Sequence, residues 1–363
     1  MVSITPDQRE QQRIAFIKNT GWEGAAVEAL PVDASARCYF RLTKGSETRI
    51  VMDAPPGIAE PVAVFAKVGR HLLSCGVSTP VIHQEDIENG FLLLEDFGDN
   101  TYAKLLHAGW NEEKLYELAI DVLVTMHSSE RLAQIDMPPY DLAFLVKEAL
   151  IMADWYVPSV KGAALPAEVR QAYVSAWCRV FKFLPLLPTT LVLRDFHIDN
   201  LMILDGRDGV ASCGLLDFQT AVLGAAPYDL MSLVEDARRD IDEGLRTRMI
   251  ERYLKAMKID RDSEAGQDFM SWYYVLSAQR HAKVLGLFTR LYSRDQKDAY
   301  LKHVTRVSSL MDSSLQNSIL EPVKSWFDRY FPDFVVELKA ETIDQEKVMK
   351  SAALTEGFPV SLS

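Results

Sequence analysis

Residues 190–204 read TLVLRDFHIDNLMIL, and residues 214–218 read GLLDF. In the first stretch two short apolar runs, Thr190–Leu193 and Leu201–Leu204, flank Arg194-Asp195-Phe196-His197-Ile198-Asp199-Asn200. The runs are too apolar to lie in solvent, so the polar seven form a loop held between buried strands. Loops held on a rigid scaffold collect catalytic groups. The ordinary alternative is a turn whose Asp and Asn bond their own backbone. Asp217 shifts the balance. It stands seventeen residues beyond Asn200 and closes an apolar strand, which sets an anion at the mouth of a pocket. Asp195, Asn200 and Asp217 then supply one carboxylate to act as base and two oxygen ligands for a hard cation. Mg2+ is held by one or two such oxygens, with phosphates and waters completing its shell. Phosphoryl transfer needs that set: a hydroxyl to orient, phosphates to bridge and moving charge to stabilise.

A D-x-x-x-x-N loop followed by an Asp-Phe strand end resembles the catalytic and metal loops of the protein-kinase-like fold, and most closely those of the aminoglycoside phosphotransferase family. Asp195, His197, Asn200, Asp217 and Phe218 carry the match. Ala226-Pro227-Tyr228-Asp229-Leu230 resembles the family's next segment, whose Asp braces the catalytic loop. Phe91-Leu92-Leu93-Leu94-Glu95-Asp96-Phe97-Gly98 is similar to the strand and hinge that receive adenine. The resemblance implies Asp195 as base, Asn200 and Asp217 as Mg2+ ligands, ATP as co-substrate, and backbone contacts at Glu95 and Phe97. Arg194, His197 and Asp229 are implied as loop braces. Longer segments resemble the bacterial anomeric kinases of N-acetylmuramate and N-acetylglucosamine. They include Ala34-Ser35-Ala36-Arg37-Cys38-Tyr39-Phe40-Arg41, Glu235-Asp236-Ala237-Arg238-Arg239-Asp240 and Gln279-Arg280-His281. That likeness implies phosphorylation of an amino sugar at C1 in cell-wall recycling. Another small alcohol, an aminoglycoside, or a non-catalytic binding module are the competing readings.

Two parts of the kinase pattern are missing. The third strand reads Ile50-Val51-Met52-Asp53 where kinases carry a lysine for the phosphates. Arg37, Arg41 and Arg49 are the expected replacements, and solvent-facing charge on edge strands is the alternative for each. No G-x-G-x-x-G occurs, but Asp33-Ala34-Ser35-Ala36 is small enough to let backbone N–H groups approach phosphate, and Ser35 adds a hydroxyl. No P-loop occurs. An acidic sugar would suit a guanidinium clamp. Arg238 and Arg239 are candidates for it, or else basic residues at a solvated helix end.

Around these motifs the expected fold is α+β, kinase-like and two-lobed. A small antiparallel-sheet lobe spans 1–97 and a larger, mainly helical lobe spans 98–338. The polar, aperiodic stretch 339–363 reads as a flexible tail. Strands are expected over 36–42, 48–54, 80–84 and 91–94. Helices are expected over 7–19, 60–75, 111–127, 141–157, 167–184, 229–237, 243–258, 266–290 and 296–312. With 363 residues, 48% hydrophobic and 25% charged, the composition is that of a globular protein. A net charge of −12 argues against non-specific nucleic-acid binding. Four dispersed cysteines without metal spacing suit a reducing compartment. The opening MVSITPDQREQQRIAF lacks a signal-peptide pattern, so a cytoplasmic protein without membrane contact is expected.

Overall fold

The computed structural model describes residues 5–31, 36–355 and 362. In chain order the elements are α1 (Pro6–Asn19), β1 (Ala26–Ala29), β2 (Cys38–Lys44), β3 (Glu47–Asp53), α2 (Val62–Ser74), β4 (Ile82–Asp86), β5 (Phe91–Glu95), α3 (Tyr102–His107) and α4 (Glu112–His127). Next come α5 (Leu142–Ile151), a π turn (Met152–Tyr156), α6 (Val157–Lys161), α7 (Ala167–Lys182), β6 (Thr189–Val192), β7 (Leu201–Ile203), β8 (Cys213–Leu215) and β9 (Val222–Ala225). The chain finishes with α8 (Pro227–Val234), α9 (Glu243–Ala256), α10 (Glu264–Asp295), α11 (Val304–Leu315), α12 (Glu321–Tyr330) and α13 (Gln345–Thr355). No helix among the described residues is long and apolar enough to cross a membrane.

The chain divides into two compact units, Met1–Asp136 with Asp195–Ala221, and Met137–Arg194 with Val222–Ser363. The first holds an antiparallel sheet of order β1-β2-β3-β5-β4. Helix α1 starts on a Thr5–Gln8 capping box with Pro6 in its first turn. Its Phe16 and Ile17 pack with Leu42, Val51, Phe91 and Leu93 on one face of the sheet. Asp53 lies on that face too, and Arg9 and Arg13 neutralise it at 2.7 and 3.2 Å. The boundary expected at residue 97 falls inside this unit. Beyond the sheet, Thr101 bridges Met202 and the Ile203 amide donates to the Asn100 carbonyl at 2.9 Å. Those bonds join α3 and its approach to the β7–β8 ribbon.

In the second unit β6 pairs with β9, and the helices gather around α10. Tyr156, Tyr173, Trp177, Val275, Leu285, Trp326 and Phe327 belong to one buried cluster. The helix expected over 141–157 is interrupted by the π turn, where the Val157 amide reaches back to the Met152 carbonyl. Pro158 follows and has no N–H to continue the α ladder. The stretch read as a flexible tail is a correction. From Gln345 to Thr355 it forms α13, which buries Val348 and Ala352 and packs on α6, the π turn and α10. Its apolar face is only two residues deep, too sparse to register as periodicity. Two further elements had no sequence signal: β1 is exposed at all four positions, and α3 has six residues.

Candidate active site

Strand β6 runs into Leu193 and Arg194, whose amides donate to the two oxygens of Asp229 at 2.7 and 2.9 Å. Asp229 is wholly buried in the first turn of α8, where the helix dipole favours a carboxylate. The fork holds Arg194 in the left-handed region, φ 72°, a conformation that costs roughly 1–2 kcal/mol for a residue with a Cβ. The Arg194 side chain passes over Tyr140 and Phe144 and bonds Glu148 on α5. Glu148 also takes Lys283 of α10 at 2.9 Å and the Tyr140 hydroxyl. Burial pushes Glu148 up, but Lys283 and Arg194 outweigh it and hold the carboxyl below its ordinary value. Asp229 and Arg194 thus fix the backbone immediately before Asp195. Glu148, Tyr140 and Lys283 were absent from the sequence reading, because nothing local marks a partner 46 residues upstream.

Within the other unit, the Asn200 side-chain amide donates to the Asp195 carbonyl at 2.9 Å and lies 3.3 Å from His197 Nε2. The Asn200 amide nitrogen is therefore used on the loop, and Oδ1 is the end left for a cation. The Leu216 amide donates to the Asn200 carbonyl at 2.9 Å, which lays the two ligand-bearing segments side by side. Asp217 follows with φ 56°. Its Oδ1 accepts from Arg37 at 2.9 Å and from Gln219 at 2.7 Å. Both bonds fall on one oxygen, and the side chain is 40% exposed. Phe218 anchors the turn by packing at a tilt against Phe65, with centroids 4.6 Å apart. Gly69 makes room, since a Cβ there would stand 3.2 Å from the Phe218 ring. The Thr220 hydroxyl lies 3.4 Å from Asp195 Oδ2. His197 is buried, with Nδ1 3.8 Å from Asp199. Gln219 and Thr220 were also missed. Their only signal was adjacency to Asp217.

The three arginines expected at phosphate diverge. Arg37 is buried and sits on Asp217, with Glu60 at 3.9 Å. Burial works against its charge, yet Tyr39, Asp217 and Glu60 outweigh that cost and leave its pKa above the ordinary value. Tyr39 beside it is pushed up to about 12 by burial. Arg41 is committed elsewhere: it forks onto Asp96 at 2.7 and 3.1 Å and reaches Asp99 and the Gly98 carbonyl. Arg49 pairs across the ladder with Leu42, so both share the α1 face, opposite Arg41. It approaches the Trp22 ring there at 5.5 Å. Glu95 bonds Arg207 and the Val81 amide. Phe97 lies against the β7–β8 ribbon, where a Cβ on Gly214 would stand 2.7 Å from its ring. Ser35, with Asp33 and Ala34, lies outside the described residues.

Arg238 and Arg239 follow α8, which ends at Val234 rather than 237. The Arg238 amide donates to Asp236 at 2.7 Å, and its guanidinium lies 5.8 Å from the Tyr300 ring centre. Gln279, Arg280 and His281 are buried in the middle of α10. Among the described residues no group of three or more His, Cys, Asp or Glu side chains forms a metal cage. One carboxylate and one amide oxygen, from Asp217 and Asn200, nonetheless suit Mg2+, which keeps most of its shell for phosphates and water.

Residues 26–267 match the model of the phosphotransferase enzyme family. A curated N-acetylmuramate/N-acetylglucosamine kinase of Caulobacter vibrioides is 31% identical over 359 residues, covering 90% of this chain and 97% of the relative. One of the same name from Pseudomonas aeruginosa is 35% identical, covering 81% of this chain and 86% of the relative. Among solved structures, a streptomycin–ATP complex of APH(2")-IIa aligns with TM-score 0.53 at 15% identity, covering 89% of this chain and 99% of the other. Plasmodium vivax ethanolamine kinase aligns with TM-score 0.56 at 11% identity, covering 80% and 85%. At such identities the structural likeness speaks for the fold alone, the kinase-like fold that the motifs led us to expect.

Proposed function

This chain belongs to the phosphotransferase enzyme family, acting on an alcohol group, and from that premise we propose that it transfers the γ-phosphoryl group of ATP to the C1 hydroxyl of N-acetylmuramate or N-acetylglucosamine. The names of relatives that align over most of their length carry the acceptor. The braced loop before Asp195 carries the chemistry. Asp195 orients the acceptor hydroxyl and takes its proton as the new O–P bond forms. The bond from the γ-phosphorus to the β–γ bridging oxygen breaks, and ADP leaves. Asn200 and Asp217 would hold Mg2+, which would supply positive charge against that of the phosphates. Arg37 is the cation that stands for the missing strand lysine. To serve there it would leave its bond to Asp217 for the phosphates. Backbone groups at Glu95–Phe97 receive adenine, Asp229, Arg194 and His197 keep the loop in place, and Ser35 adds a phosphate donor. Arg238 and Arg239 contribute to the acceptor side. The natural setting for such a reaction is the cytoplasm, where free sugars recovered from the cell wall re-enter synthesis.

The test is ATP turnover with Mg2+ against N-acetylmuramate, N-acetylglucosamine, an aminoglycoside and choline. Phosphate is expected on C1 of the N-acetyl sugars. Asp195→Asn should lower kcat by about a thousandfold or more, because base and positioning are lost together, while nucleotide binding persists. Turnover with choline or the aminoglycoside alone would remove the sugar assignment. An Asp195→Asn variant with near-normal kcat would remove the mechanism.

A further inference from the structure

Helix α10 carries a buried cation that has no anion of its own. Arg280 is 95% buried by its 5% exposure, and its Nε and Nη1 have no hydrogen-bond partner among the described residues. Buried guanidinium donors left bare are costly, and native proteins rarely keep them without a reason. Two buried carboxylates serve this stretch of α10, and both are already engaged. Glu235, at the end of α8, accepts from Tyr273 at 2.8 Å and from Ser277 at 2.5 Å. Burial raises its pKa even so, with Arg280 among the charges that oppose the rise. Glu148 is held by Lys283, Arg194 and Tyr140. On the helical wheel Arg280 falls between Lys283, which faces Glu148, and Ser277, which faces Glu235. It is thus within electrostatic reach of Glu235 and forms no ion pair with either carboxylate. Ser232 Oγ on α8 and Asp236 Oδ2 just beyond it are also buried without a partner among the described residues. A carboxylate from outside would complete Arg280, and hydroxyl or amide groups would complete the other two. Arg238 and Arg239, the sequence candidates for that clamp, already have partners.

We propose that Arg280 is the specificity residue for an acidic acceptor, binding the carboxylate that N-acetylmuramate has and N-acetylglucosamine lacks. The proposal rests on the amino-sugar reading above and deepens it. It also places the recognising cation one helical turn from Lys283. Lys283 shares Glu148 with Arg194, the residue next to Asp195.

The experiment compares N-acetylmuramate with its methyl ester, which keeps the shape and removes the charge. Wild-type enzyme should prefer the acid by roughly 10- to 100-fold in kcat/KM, mostly through KM, the range for a charged hydrogen-bonded pair. In Arg280→Gln that ratio should fall to about one. Arg280→Lys should retain part of it, because charge remains while the fork is lost. Circular dichroism and the thermal midpoint of each variant establish folding. If Arg280→Gln slows acid and ester by the same factor, the residue is only structural and the proposal fails. A wild-type enzyme that treats acid and ester alike overturns it without any variant, should Arg280→Gln not fold. If the wild type phosphorylates neither N-acetyl sugar but does phosphorylate another alcohol, the amino-sugar reading falls, and this proposal with it. Turnover of N-acetylglucosamine with no acid preference overturns the Arg280 assignment alone.

Discussion

In the proposed reaction Asp217 has two claimants for one carboxylate, Arg37, which holds it in this structure, and the metal it would bind. Arg37→Gln should therefore act with opposite signs on two ligands. The KM for ATP should rise about tenfold or more, since a charged bond to phosphate is lost. Mg2+ alone should bind more tightly, since its competitor is gone. Isothermal titration with Mg2+, and initial rates against ATP, separate the two; an unchanged KM would remove Arg37 from the phosphate site. Single residues also set the acid limit of stability. Burial holds His127 down to about 4 and His281 down to about 3. Both are neutral in the folded protein at pH 5, while the unfolded chain protonates them from about 6.5 downward. Unfolded chains then bind more protons, so stability present above pH 6.5 is lost as pH falls, by about 1.4 kcal/mol per unit for each histidine. Glu235, raised by burial, works in the other direction. Urea midpoints from pH 7.5 to 5 should decline, and His281→Gln should flatten the decline; a flat wild-type profile would contradict the assignment. At this scale the sequence was legible where chemistry is local. Asp195, Asn200 and Asp217 stand within two short segments and could be read together. Glu148, Lys283 and Arg280 meet only through helix packing, and a lone charge in a helix looks like a solvated one. The register of β2 with β3 was equally hidden, so the sequence could not tell that Arg49 points to the α1 face, away from Arg41.

Elements were legible where amphipathic spacing is regular. Helices α2 and α4 fall where apolar spacing puts them, and α1, α7, α9 and β2 to β5 lie within a residue or two of their expected spans. The difficulty came where backbone meets backbone. Gly286 of α10 is pressed on the junction of α5 and the π turn, where a Cβ would stand 2.3 Å from the Ile151 carbonyl carbon and 2.6 Å from the Met152 nitrogen. No flexible side chain is there to yield. Gly286→Ala should cost about 3 kcal/mol, at the upper end of overpacking, despite the better helix propensity of alanine. Chemical denaturation checks it. A neutral or stabilising effect would mean that α10 slides freely on α5. Such sliding would also carry Gln279 away from the Leu145 carbonyl, which it holds at 3.0 Å.

Across the whole molecule, three peptide bonds join the two units, after Asp136, Arg194 and Ala221. Neither unit is a continuous piece of chain, a property that length and composition could not reveal. Divided lobes were expected from the motifs, and a boundary at 97 was the natural guess. The contacts that draw 195–221 to the first unit span a hundred residues. The β7–β8 ribbon then has a practical consequence. A cut at its exposed turn, Gly206 with φ 77°, leaves β6 and β7 on one fragment and their partners β9 and β8 on the other. Each fragment would carry part of both units, Asp195 and Asn200 on the first and Asp217 on the second. Co-expressed chains 1–205 and 206–363 should reassemble into an active split enzyme, and each alone should be inert. Fragments that fail to co-purify would mean that the two ladders do not suffice to hold the halves together. If they do, catalysis becomes a direct reporter of whatever brings two fused proteins into contact.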